Sequence, residues 1–336
     1  MKTEKRNEMM SVFVTFQSSL INPRGFHCPM KPIFFVPILA VLCLLAGCCP
    51  STHPQVEQTH LWLGPTDSMA KVVADINANN SKIPTLWAHH YYEADVVDEK
   101  KRSHHVAGDG VLLYQAPISM RLRATATAIG TVFEIGSNPQ SFWFELGPDT
   151  GSTLWWGNYA DLSQIDPDSA GIPIRPDMVR DVLGIATINT NFSELPAPTM
   201  RYVAEGDAYV FIWIAKRVDR WVALREVWYD RATKRAKLVL LYDSNGRIVL
   251  RAVFDPKQYR QVQVPDLPRD QWPWMPFDYK LSFPETGSLL RITLDQAQLT
   301  NNVGNGVTVP NPKSFRMPNP ENAGVDKVVR IAEPAQ

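Results

Sequence analysis

The paired imidazoles of this sequence are His89-His90 and His104-His105. Imidazole nitrogens and carboxylates are common metal ligands, so one histidine of each pair together with Asp95 or Asp109 could hold a metal ion. Adjacent residues on a strand point to opposite faces, so neither pair supplies two ligands by itself. Solvated or hydrogen-bonded histidines are the favoured interpretation, and we expect neither a metal nor a cofactor.

Motifs for other catalytic chemistry are absent from the sequence. It contains no Gly-x-Ser-x-Gly nucleophile elbow, no His-Glu-x-x-His zinc motif, no phosphate-binding P-loop and no Gly-x-Gly-x-x-Gly fingerprint. Asp and Glu are scattered through turns and strand ends, where solvated side chains are expected. The sequence therefore predicts a protein that is not an enzyme. A hydrolase built on an unrecognised His–carboxylate pair is the least favoured alternative.

The most specific chemistry belongs to a cysteine near the start of the chain. Lys31 precedes the apolar run 33–44, which leads into Leu45-Ala46-Gly47-Cys48. A basic residue, a short apolar core and small residues form a secretory signal, and the core is shorter than the roughly 20 residues that span a bilayer. The tetrapeptide resembles the lipobox of bacterial lipoproteins. That resemblance implies cleavage before Cys48 and attachment of a lipid to its thiol.

This interpretation divides the chain into a signal peptide (1–47), a lipidated cysteine with its tether (48–65) and a mature body. Met30 is the expected true start of the chain. The alternative to a lipoprotein signal is an ordinary signal peptide or a buried apolar helix. All four cysteines lie at or before position 49, so the mature body has none for a disulfide or a thiolate metal site. The residue after Cys48 is not Asp, which by analogy with enteric sorting favours the periplasmic face of the outer membrane over the inner membrane.

The composition of the mature chain limits its possible partners. Residues 1–47 carry five basic and two acidic residues, so removing them changes the formal charge from 0 to −3. A slightly acidic body gives no electrostatic case for binding nucleic acid. Ten Trp, ten Tyr and fourteen Phe in the full chain provide material for a core or an apolar cavity. No second long apolar segment follows the signal, so we expect an anchored protein and not one that spans the membrane.

Strands are the elements that would position a site in most of the mature chain. Helical spacing of Met69, Val72, Val73 and Ile76 predicts one helix over 67–79. Alternation and turn residues predict strands from about 91 to 157 and from 201 to 294. The predicted strands are Ile118–Thr125, Gly130–Ile135, Ser141–Leu146, one beginning at Leu154, Arg201–Glu205, Tyr209–Lys216, Trp221–Tyr229, Lys237–Tyr242, Ile248–Phe254, Tyr279–Phe283 and Leu289–Leu294.

A second, shorter helix is predicted between two loops. Pro176 suits the first turn of a helix from Asp177 to Leu183, and Gly184 suits its end. Its apolar side is formed by Met178, Val179, Val182 and Leu183. The flanking segments 160–176 and 186–199 have no periodicity and are predicted to be loops. The Pro- and Asn-rich segment 301–336 is predicted to be a tail that lies across the surface or is partly disordered.

Three sets of residues together resemble the LolA/LolB superfamily of lipoprotein carriers and receptors. One is Tyr114-Gln-Ala-Pro117 followed by Met120-Arg-Leu122-Arg, and another is Ile174-Arg-Pro-Asp177. The third runs from Arg225-Glu-Val-Trp-Tyr-Asp230 through Asp243-Ser-Asn-Gly246 to Phe254. The resemblance implies an α+β fold over 66–300: a strongly curved antiparallel half-barrel with helices covering its concave face.

The resemblance also implies an apolar cavity that accepts acyl chains such as palmitate. The expected lining residues are Ile118, Met120, Leu122, Phe133, Ile135, Phe142, Phe144 and Trp213, with the helix at 177–183 as a lid. Soluble carriers lack an anchor, so Cys48 points to a membrane-bound protein that binds lipids or lipoproteins. The alternative is a structural or sensor lipoprotein that uses the same fold to contact another envelope protein, with its interior closed by side chains.

Overall fold

The structure is a computed structural model, and it describes the chain from Trp62 to Ile331 with gaps. The described ranges are 62–97, 101–127, 130–147, 152–161, 181–216, 220–264, 267–299, 310–322 and 324–331. The predicted signal segment, Cys48 and all of the tether before Trp62 lie outside them.

One α-helix, α1 (Met69–Asn80), precedes the strands and matches the predicted helix. The side chain of Ser68 caps its first turn by accepting from the backbone N–H of Lys71. Val72, Val73 and Ile76 are buried on one side, which is the apolar stripe that the sequence spacing predicts. The helix therefore forms one cover of the protein core.

Sixteen strands follow within the described ranges. They are β1 (Thr85–Val97), β2 (Ser103–Gln115), β3 (Ser119–Ala126), β4 (Gly130–Ser137), β5 (Ser141–Leu146), β6 (Thr153–Asn158), β7 (Ala197–Val203), β8 (Ala208–Lys216), β9 (Trp221–Asp230), β10 (Ala236–Tyr242), β11 (Ile248–Phe254), β12 (Tyr259–Gln261), β13 (Trp274–Pro276), β14 (Asp278–Phe283), β15 (Ser288–Gln298) and β16 (Lys327–Arg330). The predicted strands are found among them with ends shifted by up to four residues. β7 begins at Ala197, so the prediction of a loop over 186–199 is wrong for its last three residues.

Fourteen of these strands form one sheet in the order β16-β6-β5-β4-β3-β2-β1-β15-β14-β11-β10-β9-β8-β7. The sheet consists of two antiparallel meanders that meet where β1 pairs with β15. Only the β16–β6 pair is parallel among the pairings described. The two outermost strands of the sheet, β16 and β7, are not paired with each other, so the sheet is open. β12 and β13 form a separate two-stranded hairpin.

The inner face of this sheet carries the core. On β3, Met120, Leu122 and Ala124 are buried, whereas Arg121 and Arg123 between them point to the other face. This is the alternation expected of an antiparallel strand with one face against the core. The sequence pattern at 118–125 predicts it correctly.

The predicted set of helices over the concave face is only partly present. A flat sheet of fourteen strands would be about 60 Å wide, and a helix of the length of α1 is about 18 Å long. Because α1 is the only α-helix with bounds in the described ranges, it covers only part of the sheet. Of the predicted helix 177–183, Asp181 and Val182 have helical backbone, and residues 162–180 lie outside the described chain.

The C-terminal segment contributes to the sheet as well as to the surface. Phe315 and Ile331 are buried, and Arg121 donates to the carbonyl oxygen of Ser314 at 3.0 Å. β16 then extends the sheet beyond β6. The described part of the predicted tail is therefore packed against the outer face and one edge of the sheet.

Candidate functional site

The residues predicted to line a cavity are mostly buried, but they pack against one another. Register places Leu122 opposite Ile135 and Ile135 opposite Phe144, so these three side chains are neighbours on the inner face. Phe144 stacks on Trp155 with ring centroids 5.6 Å apart. Met120 and Phe133 are also in the core. This part of the inner face is filled by side chains.

The remaining predicted lining residues lie elsewhere. Ile118 is only half-buried, in the turn before β3. Phe142 is buried against Tyr159, with ring centroids 5.3 Å apart. Trp213 lies on β8, in the other meander, where it lines a small space of about 20 Å³. That these eight residues line a cavity stays a prediction from the sequence.

The end of the predicted lid helix packs onto the inner face of the sheet. Val182 and Leu183 are buried in the core, whereas Met178 and Val179 lie outside the described residues. Asp181 forms an ion pair with Arg225 of β9, whose guanidinium lies 4.2 Å from the ring centroid of Trp213. Residues 181–183 are therefore held against β8 and β9.

A larger pocket, of about 250 Å³, lies at the rim of the inner face, and we call it the rim pocket. It is bounded by the C-terminal end of α1, the β9–β10 turn, Gly184 and the β12–β13 hairpin. Its lining residues are Asp75, Asn79, Asn80, Gly184, Tyr229, Thr233, Lys234, Arg235, Ala236, Tyr259 and Trp274. None of the eight predicted lining residues is among them.

Two asparagines at the end of α1 position the walls of the rim pocket. The side-chain oxygen of Asn79 accepts from the backbone N–H of Trp274 at 2.8 Å, and its amide donates to the Trp274 carbonyl at 2.8 Å. The Asn80 amide donates to the carbonyl of Ala186 at 2.8 Å. These bonds tie α1 to the β12–β13 hairpin on one side and to the 184–188 segment on the other.

Arg235 supplies a cation to the lining of the rim pocket. Its guanidinium lies 3.8 Å from the ring centroid of Trp274 and 5.5 Å from that of Tyr259. Partial burial lowers the pKa of Arg235 from its ordinary value, while Tyr259 and Asp230 act in the opposite direction. No side-chain or carbonyl oxygen among the residues that the structure describes accepts a hydrogen bond from it. The aromatic contacts are favourable, yet the planar N–H donors of Arg235 still lack acceptors.

The neighbouring cation, Lys234, is already paired. Its ammonium lies 2.7 Å from a carboxylate oxygen of Asp67, and Asp67 also accepts from the Tyr209 hydroxyl at 3.3 Å. The hydrogen bond from Lys234 is the largest cause of the lowered pKa of Asp67. Since Asp67 precedes α1, these bonds join the entry of the chain into the fold to the β9–β10 turn.

The chemistry that the rim pocket offers is binding. Burial raises the pKa of the Tyr229 and Tyr259 hydroxyls well above their ordinary value, so both remain neutral near pH 7. The lining includes no histidine or cysteine. Three aromatic rings and one cation with open donors are suited to holding an amphiphilic molecule, with the rings against its apolar part.

The histidine pairs are separated as strand geometry predicts. His89 lies on the outer face, 2.9 Å from Asp295 and 3.6 Å from Asp109, and His105 lies 2.9 Å from Asp95. No cluster of three or more His, Cys, Asp or Glu within the described ranges is arranged to hold a metal ion. Of the carboxylates considered from the sequence, Asp95 contacts His105 and Asp109 contacts His89, which also contacts Asp295.

His90 points the other way, into the core, where its side chain is completely buried. Its Nε2 lies 3.1 Å from the carbonyl oxygen of Arg123. Its Nδ1 has no hydrogen-bond partner in the described part of the chain. Burial lowers the pKa of His90 to about 4, so the ring is neutral near pH 7. A Cβ at Gly110 would lie 2.7 Å from His90 Nε2, so the glycine makes room for this ring.

The lipid attachment predicted at Cys48 cannot be compared with any geometry, because Cys48 lies outside the described residues. Within the described ranges, no helix has the length and apolar character needed to cross a membrane. The anchor therefore remains a prediction from the sequence.

The residues that form the rim pocket were not predicted from the sequence. Arg235, Tyr259 and Trp274 lie in a turn and in two strands of three residues each, where no periodic pattern distinguishes them. Their contacts join parts of the chain that are far apart in sequence. The number of aromatic residues in the sequence was the only indication of an apolar site, and it did not identify the residues that form one.

No family model matches this sequence, and no curated protein matches it. Among solved structures, the chain is similar to a LolA superfamily protein from Nitrosomonas europaea, with 10% identity, a TM-score of 0.44, and coverage of 75% of this chain and 99% of that one. It is also similar to a DUF1329 family protein from Desulfovibrio piger, with 9% identity, a TM-score of 0.44, and coverage of 74% and 97%.

A third similar structure is an outer membrane lipoprotein-sorting protein domain from Vibrio parahaemolyticus, with 12% identity, a TM-score of 0.38, and coverage of 74% and 95%. The resemblance to the LolA superfamily that the sequence motifs indicate is thus also found among solved structures. At these identities and TM-scores, no ligand or activity is carried over from these proteins. The function has to be argued from the residues of this chain.

Proposed function

We propose that this chain is a cell-envelope lipoprotein, lipidated at Cys48, that binds acyl chains of lipids or lipoproteins in the rim pocket without catalysing a reaction. The observation that carries the proposal is the rim pocket itself, about 250 Å³ with Tyr229, Tyr259 and Trp274 in its lining. Burying an acyl chain against apolar surface contributes about 0.8 kcal/mol per CH₂ group. A pocket of this size accommodates one end of a chain and leaves the rest outside.

The way the chain enters the fold supports this proposal. The Arg231 guanidinium lies 3.8 Å from the ring centroid of Trp62, and Lys234 bonds Asp67. The described chain therefore begins beside the turn that forms one wall of the rim pocket. The fourteen residues 48–61 span at most about 50 Å when fully extended. An anchor at Cys48 would keep the pocket within reach of lipids in the same membrane.

The proposed location is the periplasmic face of the outer membrane, where the chain would receive or handle lipid locally. A lipid on its own N-terminus would prevent it from diffusing freely as a soluble carrier does. The partners are lipids or the acylated ends of lipoproteins. The formal charge of −3 on the mature chain gives no reason to expect nucleic acid.

The acyl-binding proposal is tested by the lipids that remain with the protein. The full-length protein is purified from its membranes after exchange into a detergent that mass spectrometry distinguishes from lipid. We expect a bound acyl-bearing molecule that is recovered with wild type and lost in Trp274→Ala. Leu289, an exposed side chain away from the pocket, provides the control variant Leu289→Ala, which should retain it. Protein that is free of lipid and does not bind an added fatty acid contradicts the proposal.

The anchor is tested separately by metabolic labelling with palmitate. Wild type should incorporate the label, and Cys48→Ala should not, because the thiol that carries the lipid is gone. Cys49→Ala is the matched control and should incorporate it as wild type does. Labelling of Cys48→Ala contradicts the assignment of the anchor.

A second function is favoured by one observation, the filled inner face around Leu122, Ile135 and Phe144. A half-barrel with a closed interior suits a structural or sensor lipoprotein that contacts another envelope protein. Under that alternative, the chain is recovered without lipid, and cross-linking in intact cells joins it to a protein of one fixed mass. Recovery of lipid that depends on Trp274 excludes this alternative as the main function.

A further inference from the structure

We propose that the rim pocket recognises an oxyanion, a carboxylate or phosphate, at the end of an acyl chain, and that Arg235 is the residue that binds it. This inference rests on the proposed acyl-binding function and specifies the ligand class of the same pocket. It derives from the contrast between Arg235 and two other arginines that stack on aromatic rings, Arg225 and Arg231.

Two other stacked arginines have carboxylate partners. Arg225 lies over Trp213 and pairs with Asp181. Arg231 lies over Trp62, and its Nε is 2.6 Å from Asp207. In each case an aromatic ring takes one face of the guanidinium and a carboxylate takes its N–H edge. The stacking face and the N–H edge of these two guanidinium groups are therefore both occupied by partners within the protein.

Arg235 also contacts aromatic rings, but it has no carboxylate partner among the described residues. Trp274 lies 3.8 Å from its guanidinium carbon, so one face of the group is covered and the side chain is held at the pocket wall. No acceptor for its N–H groups is present in the described chain. A guanidinium matches carboxylate and phosphate oxygens with two parallel hydrogen bonds, so the open edge of Arg235 is suited to such a group.

The carboxylates nearest to the rim pocket are engaged by other donors. Asp230 accepts from the backbone N–H and the hydroxyl of Thr233 at 2.8 and 2.9 Å. Asp75 is paired with the Lys71 ammonium at 2.5 Å. Neither is hydrogen-bonded to Arg235. An entering anion would therefore meet a cation whose edge no neighbouring side chain occupies.

The aromatic rings beside Arg235 provide the surface that the apolar part of the ligand would contact. The Tyr259 hydroxyl donates to the Ala236 carbonyl at 2.8 Å, which directs its polar end away and leaves the ring in the pocket wall. Tyr229 is buried and packs edge-on against Phe211, with ring centroids 5.6 Å apart. A free inorganic anion would use only Arg235, whereas an anion on an acyl chain would use the rings as well. The inference is for the second class.

The test uses the full chain held in nanodiscs of digalactosyldiacylglycerol, a bilayer lipid without a charged group. Calorimetric titrations compare octyl phosphate, octanoate, octyl glucoside and inorganic phosphate, with empty nanodiscs as the baseline. The variants are Arg235→Gln, Arg235→Lys and Arg260→Gln. Arg260 is the matched control, since it lies 5.0 Å over the Phe277 ring but is exposed and does not line the pocket.

We expect wild type to bind octyl phosphate and octanoate at least about tenfold more tightly than octyl glucoside, because charge-assisted pairs are the stronger bonds. Inorganic phosphate should bind at least about tenfold more weakly than octyl phosphate, since it lacks the apolar chain. Arg235→Gln should remove the preference for anions, so that octyl phosphate and octanoate bind it no more tightly than octyl glucoside does. Arg235→Lys should retain part of the preference, and Arg260→Gln all of it.

Anionic and neutral octyl compounds that bind equally, or a preference that survives in Arg235→Gln, would overturn the inference while the proposed acyl-binding function stands. Inorganic phosphate binding as tightly as octyl phosphate would also overturn it, because the site would then be one for free anions. If none of the octyl compounds binds wild type, the proposed acyl-binding function itself fails.

Discussion

Two groups of charged residues, one on the outer face of the sheet and one at the rim pocket, differ in how far their hydrogen bonds are satisfied within the protein. On the outer face, Glu134 is completely buried and accepts from Arg121 at 2.9 and 3.1 Å, from Arg123 at 2.6 Å and from the Trp143 indole at 3.0 Å. At the rim pocket, Arg235 stacks on Trp274 and has no described acceptor. The hydrogen bonds of the Glu134 group are thus satisfied within the protein, whereas the N–H donors of Arg235 have no acceptor in the described chain.

This difference indicates different roles. A buried carboxylate that is surrounded by its own donors leaves no site for another molecule, and its bonds contribute to holding β3, β4 and β5 together. Although burial alone would raise the pKa of Glu134, Arg121, Arg123 and Trp143 together hold it below its ordinary value. A partly buried guanidinium with an open edge gains most from a ligand that supplies the missing acceptors. We therefore assign stability to the Glu134 group and recognition to Arg235.

The largest expected effect comes from breaking the Glu134 group. Glu134→Ala leaves two guanidinium groups and one indole N–H without their acceptor, and removing one partner of a buried ion pair costs about 3–5 kcal/mol. The free energy of unfolding in urea measures this loss. The exposed pair of Lys71 and Asp75 is the control, and Lys71→Ala should cost far less than Glu134→Ala, because solvent screens an exposed ion pair. A loss below about 1 kcal/mol in Glu134→Ala would remove the contrast between the two groups.

The filled part of the inner face should respond like an ordinary core. Leu122 is buried in the core opposite Ile135. Leu122→Ala should therefore lower the free energy of unfolding by about 2–5 kcal/mol. If a ligand cavity lay against Leu122, the truncation would only enlarge an existing space, and the loss would fall below this range. Urea unfolding of Leu122→Ala beside the exposed variant Leu289→Ala distinguishes these outcomes.

A third effect is a dependence of stability on pH that originates at His90. Its pKa is about 4 in the folded protein and near 6.5 when exposed, so the unfolded chain binds the proton more readily between these values. Stability is therefore full above about pH 6.5 and falls as the pH is lowered towards 4, by up to about 3 kcal/mol. Urea unfolding at a series of pH values measures it.

His90→Leu is the variant that isolates this contribution, because it removes the titrating ring and keeps an apolar side chain in the core. The part of the pH dependence between pH 6.5 and 4 that belongs to His90 should disappear. A variant whose pH dependence in that interval equals that of wild type would show that His90 does not titrate there. Below that interval, the lowered pKa of Glu134 adds a further loss of stability as its carboxylate is protonated.

The smallest expected effect on stability is that of Arg235→Gln. Its guanidinium makes ring contacts only, and an exposed or half-buried contact of this kind contributes about 0.5–1 kcal/mol. The variant should therefore unfold within about 1 kcal/mol of wild type. A loss as large as that of Glu134→Ala would mean that Arg235 is a structural residue.

Alternation and helical spacing predicted the regular elements of this fold well. β5 (Ser141–Leu146) and β11 (Ile248–Phe254) have the predicted bounds, and α1 differs from its predicted span by one or two residues at each end. At the hairpin before β11, Gly246 has a φ of 79°, the left-handed conformation for which Asn-Gly is selected. These features depend on neighbours along the chain, so the sequence displays them directly.

Features that depend on distant neighbours were not predicted. β2 contains Gly108 and Gly110, which are unfavourable inside strands by propensity and interrupt the apolar alternation. In the fold, they accommodate the Tyr92 and His90 rings of β1. β16 lies about 170 residues beyond β6 and has only four residues to display a pattern. The rim pocket was missed for the same reason, since its walls come from separate parts of the chain.

The most direct measurement of the central claim compares Arg235→Gln and Glu134→Gln in the same two assays, octyl phosphate affinity and urea unfolding of the full chain in neutral nanodiscs. The account predicts that Arg235→Gln loses at least about tenfold in affinity with little change in stability. Glu134→Gln should lose stability and, under conditions where it remains folded, bind octyl phosphate as wild type does. Wild-type affinity in Arg235→Gln would contradict the claim that this pocket recognises an anionic acyl ligand.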